Sequence, residues 1–198
     1  TNEARITGRL QHPGIIPIYE TGTSSDERPW FAMKLIRGKT LAELMTARTS
    51  PQDDLPRLLN IFEQICQTLS YTHSCGVIHL DIKPTNIMVG AFGEVHLMDW
   101  GLARTSTDLC VPGSVQNGVQ DRLPCSDSTM DSPSIASHDL TVEVPAGAVW
   151  GTPAYMSPEQ ARGHCSDVRS DVFGLGGMLC EILTGSPPYR GANFLDVC

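Results

Sequence analysis

Three polar side chains of different chemistry stand close together along the stretch HLDIKPTN, residues 79–86. Asp81 carries a carboxylate that could accept the proton of a hydroxyl group, and Lys83 carries a cation that could hold a transferring phosphoryl group. Asn86, five residues after Asp81, carries a carboxamide oxygen that could bind Mg²⁺. Residues of these types at this spacing predict a loop that catalyses phosphoryl transfer.

A second carboxylate, Asp99, lies in the segment EVHLMDWG, residues 94–101, at the end of a predicted strand. Its oxygen atoms could complete the Mg²⁺ coordination that Asn86 begins, because Mg²⁺ prefers oxygen ligands. Gly101 lets the backbone turn sharply after this carboxylate. The two segments together predict a metal-dependent site.

A long helix and a hairpin are predicted to hold these groups in place. Apolar residues recur every three or four positions over residues 55–73, which indicates a helix with one buried face, and Gly76 is a suitable C-terminal cap. The segments NIMVG (residues 86–90) and EVHLMDWG predict two strands joined by the turn AFG. This hairpin is expected to end at Asp99.

Further elements are predicted on both sides of this central part. Residues 3–10 have weak helical character and precede a proline. The segments IIPIYETG (residues 15–22) and PWFAMKLI (residues 29–36) predict two strands separated by a polar turn. A last helix is predicted over residues 170–184 and is closed by Gly185.

Composition and charge restrict the class of protein. The chain of 198 residues is 40% hydrophobic, as in globular proteins, and its net charge of -8 without clustered Lys and Arg argues against nucleic-acid binding. Seven widely spaced cysteines without a CxxC pair predict neither a disulfide framework nor a zinc site, and they favour the cytoplasm. The most apolar segment, residues 172–183, is too short to span a bilayer and contains Glu181.

The composition changes over residues 105–149. This segment contains no aromatic residue, is rich in Ser and Thr, and carries an acidic excess. Such a segment cannot bury enough apolar surface to offset the entropy of ordering it, so we expect it to be disordered.

Three motifs resemble those of one known family. The segment HLDIKPTN is similar to the catalytic loop HRDLKxxN of the eukaryotic-type (Hanks) protein kinases, DWG to their DFG, and SPE in GTPAYMSPE to their APE. The motifs occur in the family's order and look like a bacterial serine/threonine kinase. The resemblance implies an α+β protein-kinase-like fold. Residues 1–33 would be the end of the small β-rich lobe, and residues 34–198 the hinge and a mostly helical large lobe that contains the insert.

The resemblance also implies roles for the polar residues. Asp81 would be the catalytic base, Lys83 would steady the γ-phosphate of ATP, and Asn86 and Asp99 would bind Mg²⁺. Thr152 would bridge Asp81 and Lys83, a combination typical of serine/threonine kinases. The implied partner is a protein substrate with a Ser or Thr hydroxyl group.

By the same resemblance, a nucleotide pocket and two supporting carboxylates can be assigned. Met33 would be the gatekeeper, and residues 34–37, with Lys34 and Ile36, would form the hinge that binds adenine. Met88 would lie beneath the adenine ring. Two carboxylates would support the site: the C-helix glutamate and the helix-F aspartate that holds the catalytic loop, which are Glu3 and Asp171.

Some features depart from the family pattern. Leu80 stands where the catalytic loop has arginine, which removes a cation that could bind an activating phosphate, and Trp100 replaces the usual phenylalanine. No glycine-rich loop or strand-3 lysine precedes Glu3, so we expect a piece truncated at both ends that is inactive alone, from an active parent. Membrane attachment through segments outside this piece stays open.

Two alternatives compete with the kinase interpretation. The first is a pseudokinase or interaction scaffold that no longer binds ATP, although such a scaffold has no chemical need for Asp81, Asn86 and Asp99. The second is a small-molecule phosphotransferase, which shares an HxDxxxxN loop. It fits less well, because those enzymes lack a segment similar to GTPAYMSPE.

Overall fold

The computed structural model describes residues 2–105 and 152–190. Its first three elements are a short helix and a hairpin: α1 (Asn2–Thr7), β1 (Ile18–Thr23) and β2 (Pro29–Met33). The two predicted strands are present and pair antiparallel, but β1 begins at Ile18 instead of residue 15, and β2 ends at Met33 instead of residue 36. The predicted first helix is also shorter than expected, since it ends at Thr7.

A strand and a helix that the periodicity did not indicate come next. These are β3 (Gly38–Thr40) and α2 (Leu41–Thr46). Thr40 begins the helix with a capping box, because its hydroxyl group accepts the Glu43 N–H at 3.1 Å and the Glu43 carboxylate accepts the Thr40 N–H at 2.7 Å. The sequence signal for this helix was therefore the cap, T-x-x-E.

The predicted long helix is confirmed as α3 (Leu55–Ser74). Its buried face contains Leu58, Ile61, Ile65 and Leu69, while Leu59 is exposed. Gly76 follows with a φ angle of 72°, the left-handed conformation that glycine adopts most easily after a helix.

Four short strands surround the polar stretch found in the sequence: β4 (Val77–Ile78), β5 (Ile87–Gly90), β6 (Val95–Leu97) and β7 (Arg104–Thr105). Strands β5 and β6 form the predicted hairpin, and β3 extends it to a sheet with the order β3-β5-β6. Strand β4 pairs antiparallel with β7. The chain between β4 and β5 is therefore held at both ends.

Thr105 corrects the expected start of the insert. It pairs with Val77 across strands β4 and β7, so the ordered ladder includes the first residue of the segment predicted to be disordered. The remainder of that prediction, residues 106–149, lies outside the described residues.

The last two elements are α4 (Pro158–Ala161) and α5 (Val168–Thr184). Helix α5 begins two residues before the predicted start, because Asp167 caps it by accepting the Arg169 N–H at 2.8 Å. It ends as predicted at Gly185, whose φ angle is 78°. Helix α5 packs against α3, and a Cβ atom at Gly174 would lie 3.0 Å from Ile82.

One apolar cluster joins these elements. It combines residues of α1, α2, α3, the β5–β6 hairpin and α5, among them Ile6, Leu41, Ile65, Ile87, Leu97, Met178 and Ile182. The loop between α1 and β1 packs closely against α3, because a Cβ atom at Gly14 would lie 2.1 Å from the Thr68 hydroxyl oxygen. None of the helices in the described part of the chain is long and apolar enough to cross a membrane.

Candidate active site

The backbone before Asp81 is held by a buried carboxylate of α5. Asp171, only 1% exposed, accepts the N–H of His79 at 2.9 Å and the N–H of Leu80 at 2.8 Å. The Nε2 atom of His73 lies 2.7 Å from the same carboxylate. Asp171 therefore does lie below the loop, as the resemblance implied.

Four of the predicted site residues meet in one network around Asp81. The Lys83 ammonium lies 2.6 Å from the Asp81 carboxylate and donates to the Thr152 hydroxyl group at 2.8 Å. That hydroxyl group donates to the other Asp81 oxygen at 3.1 Å. The Asn86 amide donates to the Asp81 carboxylate at 3.1 Å and to its backbone carbonyl at 2.9 Å. Lys83, Asn86 and Thr152 thus donate to the two oxygens of the Asp81 carboxylate and fix its orientation.

Asp99 follows β6 in a conformation that is rare for residues with a side chain. Its φ angle of 61° is left-handed, and its side chain is exposed. Such backbone strain concentrates at functional sites, where the surrounding structure maintains it. The next residue, Trp100, is buried, and its ring contacts that of His79 at a centroid distance of 4.6 Å. The buried indole therefore anchors the turn that presents Asp99.

Glu3 of α1 lies close to this turn. Partial burial and the neighbouring Asp99 carboxylate raise the pKa of Glu3. The hydrogen bond that Glu3 accepts from the backbone N–H of Trp100 acts in the opposite direction. The structure therefore brings Glu3 to the Asp99 side of the site. Two carboxylates that repel each other here would both be stabilised by a cation between or beside them.

The donor set around Asn86 and Asp99 fits a magnesium ion. The Met98 N–H donates to the Asn86 carbonyl at 2.9 Å, which continues the β5–β6 ladder and places Asp99 beside Asn86. The Asn86 amide nitrogen is used by Asp81, so its carboxamide oxygen is left as a ligand atom. The described residues form no cluster of three or more His, Cys, Asp or Glu side chains for a metal. One carboxylate and one amide oxygen suit Mg²⁺, which usually binds few protein ligands together with substrate phosphates.

His79 has a structural position rather than a reactive one. It is fully buried, and its Nε2 atom lies 3.0 Å from the Met98 carbonyl. Burial lowers the pKa of His79, although the carboxylates of Asp171, Asp81 and Asp99 act in the opposite direction. The neutral ring thus ties the catalytic loop to the strand before Asp99.

The residues predicted to bind adenine lie at the end of β2, in the segment that follows it and in β5. Met33 ends β2 and is half exposed, and the Lys34 N–H donates to the Pro17 carbonyl at 3.2 Å. Ile36 is partly buried, and Met88 lies in β5 opposite Thr40. Within the described residues, no hydrogen bond or ion pair joins any of these predicted adenine-binding residues to the Asp81 network.

His96 of β6 is a buried titratable group near the predicted hinge. It is 5% exposed, and neither ring nitrogen has a hydrogen-bond partner among the residues that the structure describes. Burial lowers its pKa and the Lys34 ammonium lowers it further, while Glu94 and the nearby Pro13 carbonyl act in the opposite direction. The folded state therefore favours the neutral ring.

This pKa shift predicts a pH dependence of stability. The unfolded chain binds a proton at position 96 near the ordinary histidine pKa of about 6.5, whereas the folded chain binds it only at lower pH. Stability is then fully present above that value and falls as the pH decreases, by up to about 1.4 kcal/mol per pH unit for one proton. In chemical unfolding measured from pH 8 down to pH 5, the free energy of unfolding of His96→Gln should fall less steeply than that of the unsubstituted protein.

The matched control is His164→Gln, which changes an exposed histidine and should follow the parent curve. Identical slopes for the parent and His96→Gln would contradict the assignment.

Several contacts of the site were not predicted from the sequence. His73 contacts Asp171, and Gln160 donates to the Leu80 carbonyl at 2.8 Å. The Tyr155 hydroxyl group donates to the Glu181 carboxylate, and burial raises the pKa of that hydroxyl group. For Gln160 a local signal existed, since S-x-x-Q is a capping-box pattern. The other contacts join residues far apart in sequence and left no such signal.

Comparisons with known proteins identify the family to which the chain belongs. The family model for the protein kinase domain matches residues 1–114. The chain is 36% identical over 198 residues to "Serine/threonine-protein kinase PknB" of Mycobacterium leprae, covering 98% of this chain and 26% of that protein. It is 34% identical over 198 residues to PknB of Mycobacterium tuberculosis H37Rv, with the same coverage.

A third relative comes from another bacterial group. The chain is 34% identical over 197 residues to "Serine/threonine-protein kinase PknD" of Chlamydia caviae, covering 95% of this chain and 20% of that protein. The chain thus spans only 20% to 26% of the length of these curated relatives. Its helices and small antiparallel sheets form the α+β fold expected for the family. The chain therefore belongs to the protein kinase family, and the relatives it resembles are bacterial serine/threonine-protein kinases.

Proposed function

We propose that this chain supplies the catalytic side of an enzyme that transfers the γ-phosphate of ATP to Ser or Thr hydroxyl groups of proteins. The observation that carries the proposal is the network in which Lys83, Thr152 and Asn86 contact Asp81 at 2.6 to 3.1 Å. Members of the family generally use ATP and a divalent metal ion. The assignment of these groups to particular residues is our inference.

In this proposal, Asp81 acts as the general base. Its carboxylate is 9% exposed, and Thr152 and Asn86 fix the direction in which its oxygens point. The substrate hydroxyl oxygen forms the new bond to the γ-phosphorus, and its proton passes to Asp81. The bond to the β–γ bridging oxygen breaks, and ADP leaves. Lys83, which neutralises Asp81 in the free site, is placed to hold the γ-phosphate during transfer.

We assign the metal to Asn86 and Asp99. Mg²⁺, when bound, would neutralise charge on the phosphate oxygens. The left-handed backbone at Asp99 and the burial of Trp100 support a fixed turn at this carboxylate. Glu3, near Asp99, would support this arrangement from α1.

We also propose a nucleotide pocket and a domain division. Met33, the backbone of Lys34 and Ile36, and Met88 would contact adenine, supported by the position of Met88 in β5, two residues after Asn86. Residues 1–33 would belong to the small lobe and residues 34–198 to the hinge and large lobe. The separate pairing of β1 with β2 supports this boundary.

The alternative of a pseudokinase or scaffold is not favoured, because the chain retains the contacts that only chemistry requires. We infer a protein substrate and a cytoplasmic location for this part. Free cysteines at Cys66, Cys75, Cys165 and Cys180 support a reducing compartment.

The class of product tests the proposed function. The gene's full product, given radiolabelled ATP, Mg²⁺ and a general protein substrate, should form phosphoserine or phosphothreonine. Label found only on tyrosine or on small molecules would contradict the proposal.

Thr152 provides a second prediction about this site. Thr152→Ala removes the hydroxyl group that joins Lys83 to Asp81, and we expect kcat to fall about tenfold, as for the loss of one charge-assisted hydrogen bond. Steady-state kinetics would measure this. Thr152→Ser keeps the hydroxyl group and should stay within about threefold of the parent, since the bond can be remade. Equal losses in the two variants would show that the methyl group, and not the hydroxyl group, matters.

A further inference from the structure

Gln160 of α4 joins a helix cap to the catalytic loop. Its side chain is buried, at 9% exposure. Its carboxamide oxygen accepts the Ser157 N–H at 3.2 Å and the Ser157 hydroxyl group at 3.1 Å. Its amide nitrogen donates to the Leu80 carbonyl at 2.8 Å. The oxygen of this carboxamide therefore binds Ser157, the residue that caps α4, and its nitrogen binds Leu80, 80 positions away in the sequence.

Leu80 needs such support because its backbone is strained. Its φ angle of 68° is left-handed, which is costly for a residue with a branched side chain. Its N–H is held by Asp171 and its carbonyl by Gln160. That carbonyl belongs to the peptide bond that leads into Asp81, so its orientation sets the direction of the Asp81 side chain.

We propose that Gln160 is a positioning residue that holds the Leu80–Asp81 peptide in its strained conformation and so orients Asp81. The inference rests on the proposed function for its effect on rate. If Gln160 has this role, the geometry of the catalytic loop depends on the folding of α4, because Gln160 of α4 contacts Leu80. Thr152 holds the same loop through Asp81 and Lys83.

The chemistry of the side chain explains why glutamine is suited to this position. A glutamate would present oxygen to the Leu80 carbonyl instead of a donor, and a methionine would keep the length without any donor. An asparagine would be one methylene too short to reach both partners. Gln160→Met, Gln160→Glu and Gln160→Asn thus remove the same contact in three different ways.

The kinetic test uses the gene's full product. Gln160→Met should lower kcat about tenfold, as expected for one lost hydrogen bond that acts on the transition state, and Gln160→Glu should lower it more. The KM values for ATP and protein should stay within about threefold, because Gln160 contacts neither substrate. Gln67→Met, a change on the exposed face of α3, is the matched control. A kcat for Gln160→Met within about twofold of the parent would overturn the inference.

A substitution at Leu80 separates positioning from general stability. Asparagine adopts the left-handed conformation at lower cost than leucine, so Leu80→Asn should reduce the need for Gln160. In that background the loss caused by Gln160→Met should shrink from about tenfold to about threefold. An equal loss in both backgrounds would contradict the role of Gln160 in holding the strained peptide.

Hydrogen exchange tests the same inference without any activity. In Gln160→Met, the N–H groups of His79 and Leu80 should exchange about tenfold faster than in the parent, while those within α3 should not change. If the parent transfers no phosphate, the proposed function fails, yet this measurement still decides the role of Gln160. Unchanged exchange at both groups would overturn it. If Gln160→Met does not fold, Gln160→Asn serves for the same comparison.

Discussion

Replacing Asp81 with asparagine is expected to lower kcat by about three orders of magnitude, the range that a positioned general base contributes. Asparagine has nearly the same shape, but it cannot take the substrate proton. Its single oxygen can accept from only one of Lys83 and Thr152, which contact different oxygens of Asp81. The KM for ATP should change little, because the proposed adenine contacts lie elsewhere. Steady-state phosphorylation of a protein substrate measures both constants.

The matched control for this substitution is Asp54→Asn. Asp54 is exposed before α3 and forms a surface ion pair with Arg57 at 3.6 Å, so its loss should leave kcat within about twofold. A kcat for Asp81→Asn above one tenth of the parent value would remove Asp81 from the role of base.

Replacing Asp171 with alanine is expected to have the largest effect on stability. It leaves the buried N–H groups of His79 and Leu80 and the ring nitrogen of His73 without their acceptor. Each orphaned buried donor costs about 1 to 3 kcal/mol, so the free energy of unfolding should fall by about 3 kcal/mol or more. Urea unfolding followed by circular dichroism measures this change.

The same helix offers a control. Asp167→Ala removes a carboxylate at the exposed N-terminal end of α5, where loss of a cap costs about 1 kcal/mol. Equal destabilisation by the two variants would show that the carboxylate of Asp171 does not carry the backbone contacts assigned to it.

The elements that could be predicted are those with local signals. The three- and four-residue spacing of apolar side chains located α3, and the turn between two apolar runs located the β5–β6 hairpin. The types and spacing of Asp81, Lys83 and Asn86 indicated the chemistry of the loop, because phosphoryl transfer requires a base, a cation and a metal ligand. These groups could be recognised as one site because they lie within a few positions of each other in the sequence.

The contacts that could not be predicted are those between distant parts of the chain. The contact of Gln160 with the Leu80 carbonyl spans 80 positions, and that of Asp171 with His73 spans 98. The left-handed backbone at Leu80 has no signal of its own, since leucine ordinarily avoids it. Strand β3 was missed because three residues are too few to show an alternating pattern.

The most direct measurement combines nucleotide binding and single-turnover phosphate transfer on the same samples of the parent and Asp81→Asn. Binding of a labelled ATP analogue would be measured by equilibrium dialysis, and transfer to Ser or Thr residues by rapid quench. Both proteins are expected to bind the nucleotide within about threefold of each other, while transfer by the variant is about a thousandfold slower. Equal rates of transfer, or an unsubstituted protein that binds nucleotide and phosphorylates no protein, would refute the role of Asp81 as the catalytic base of a protein kinase.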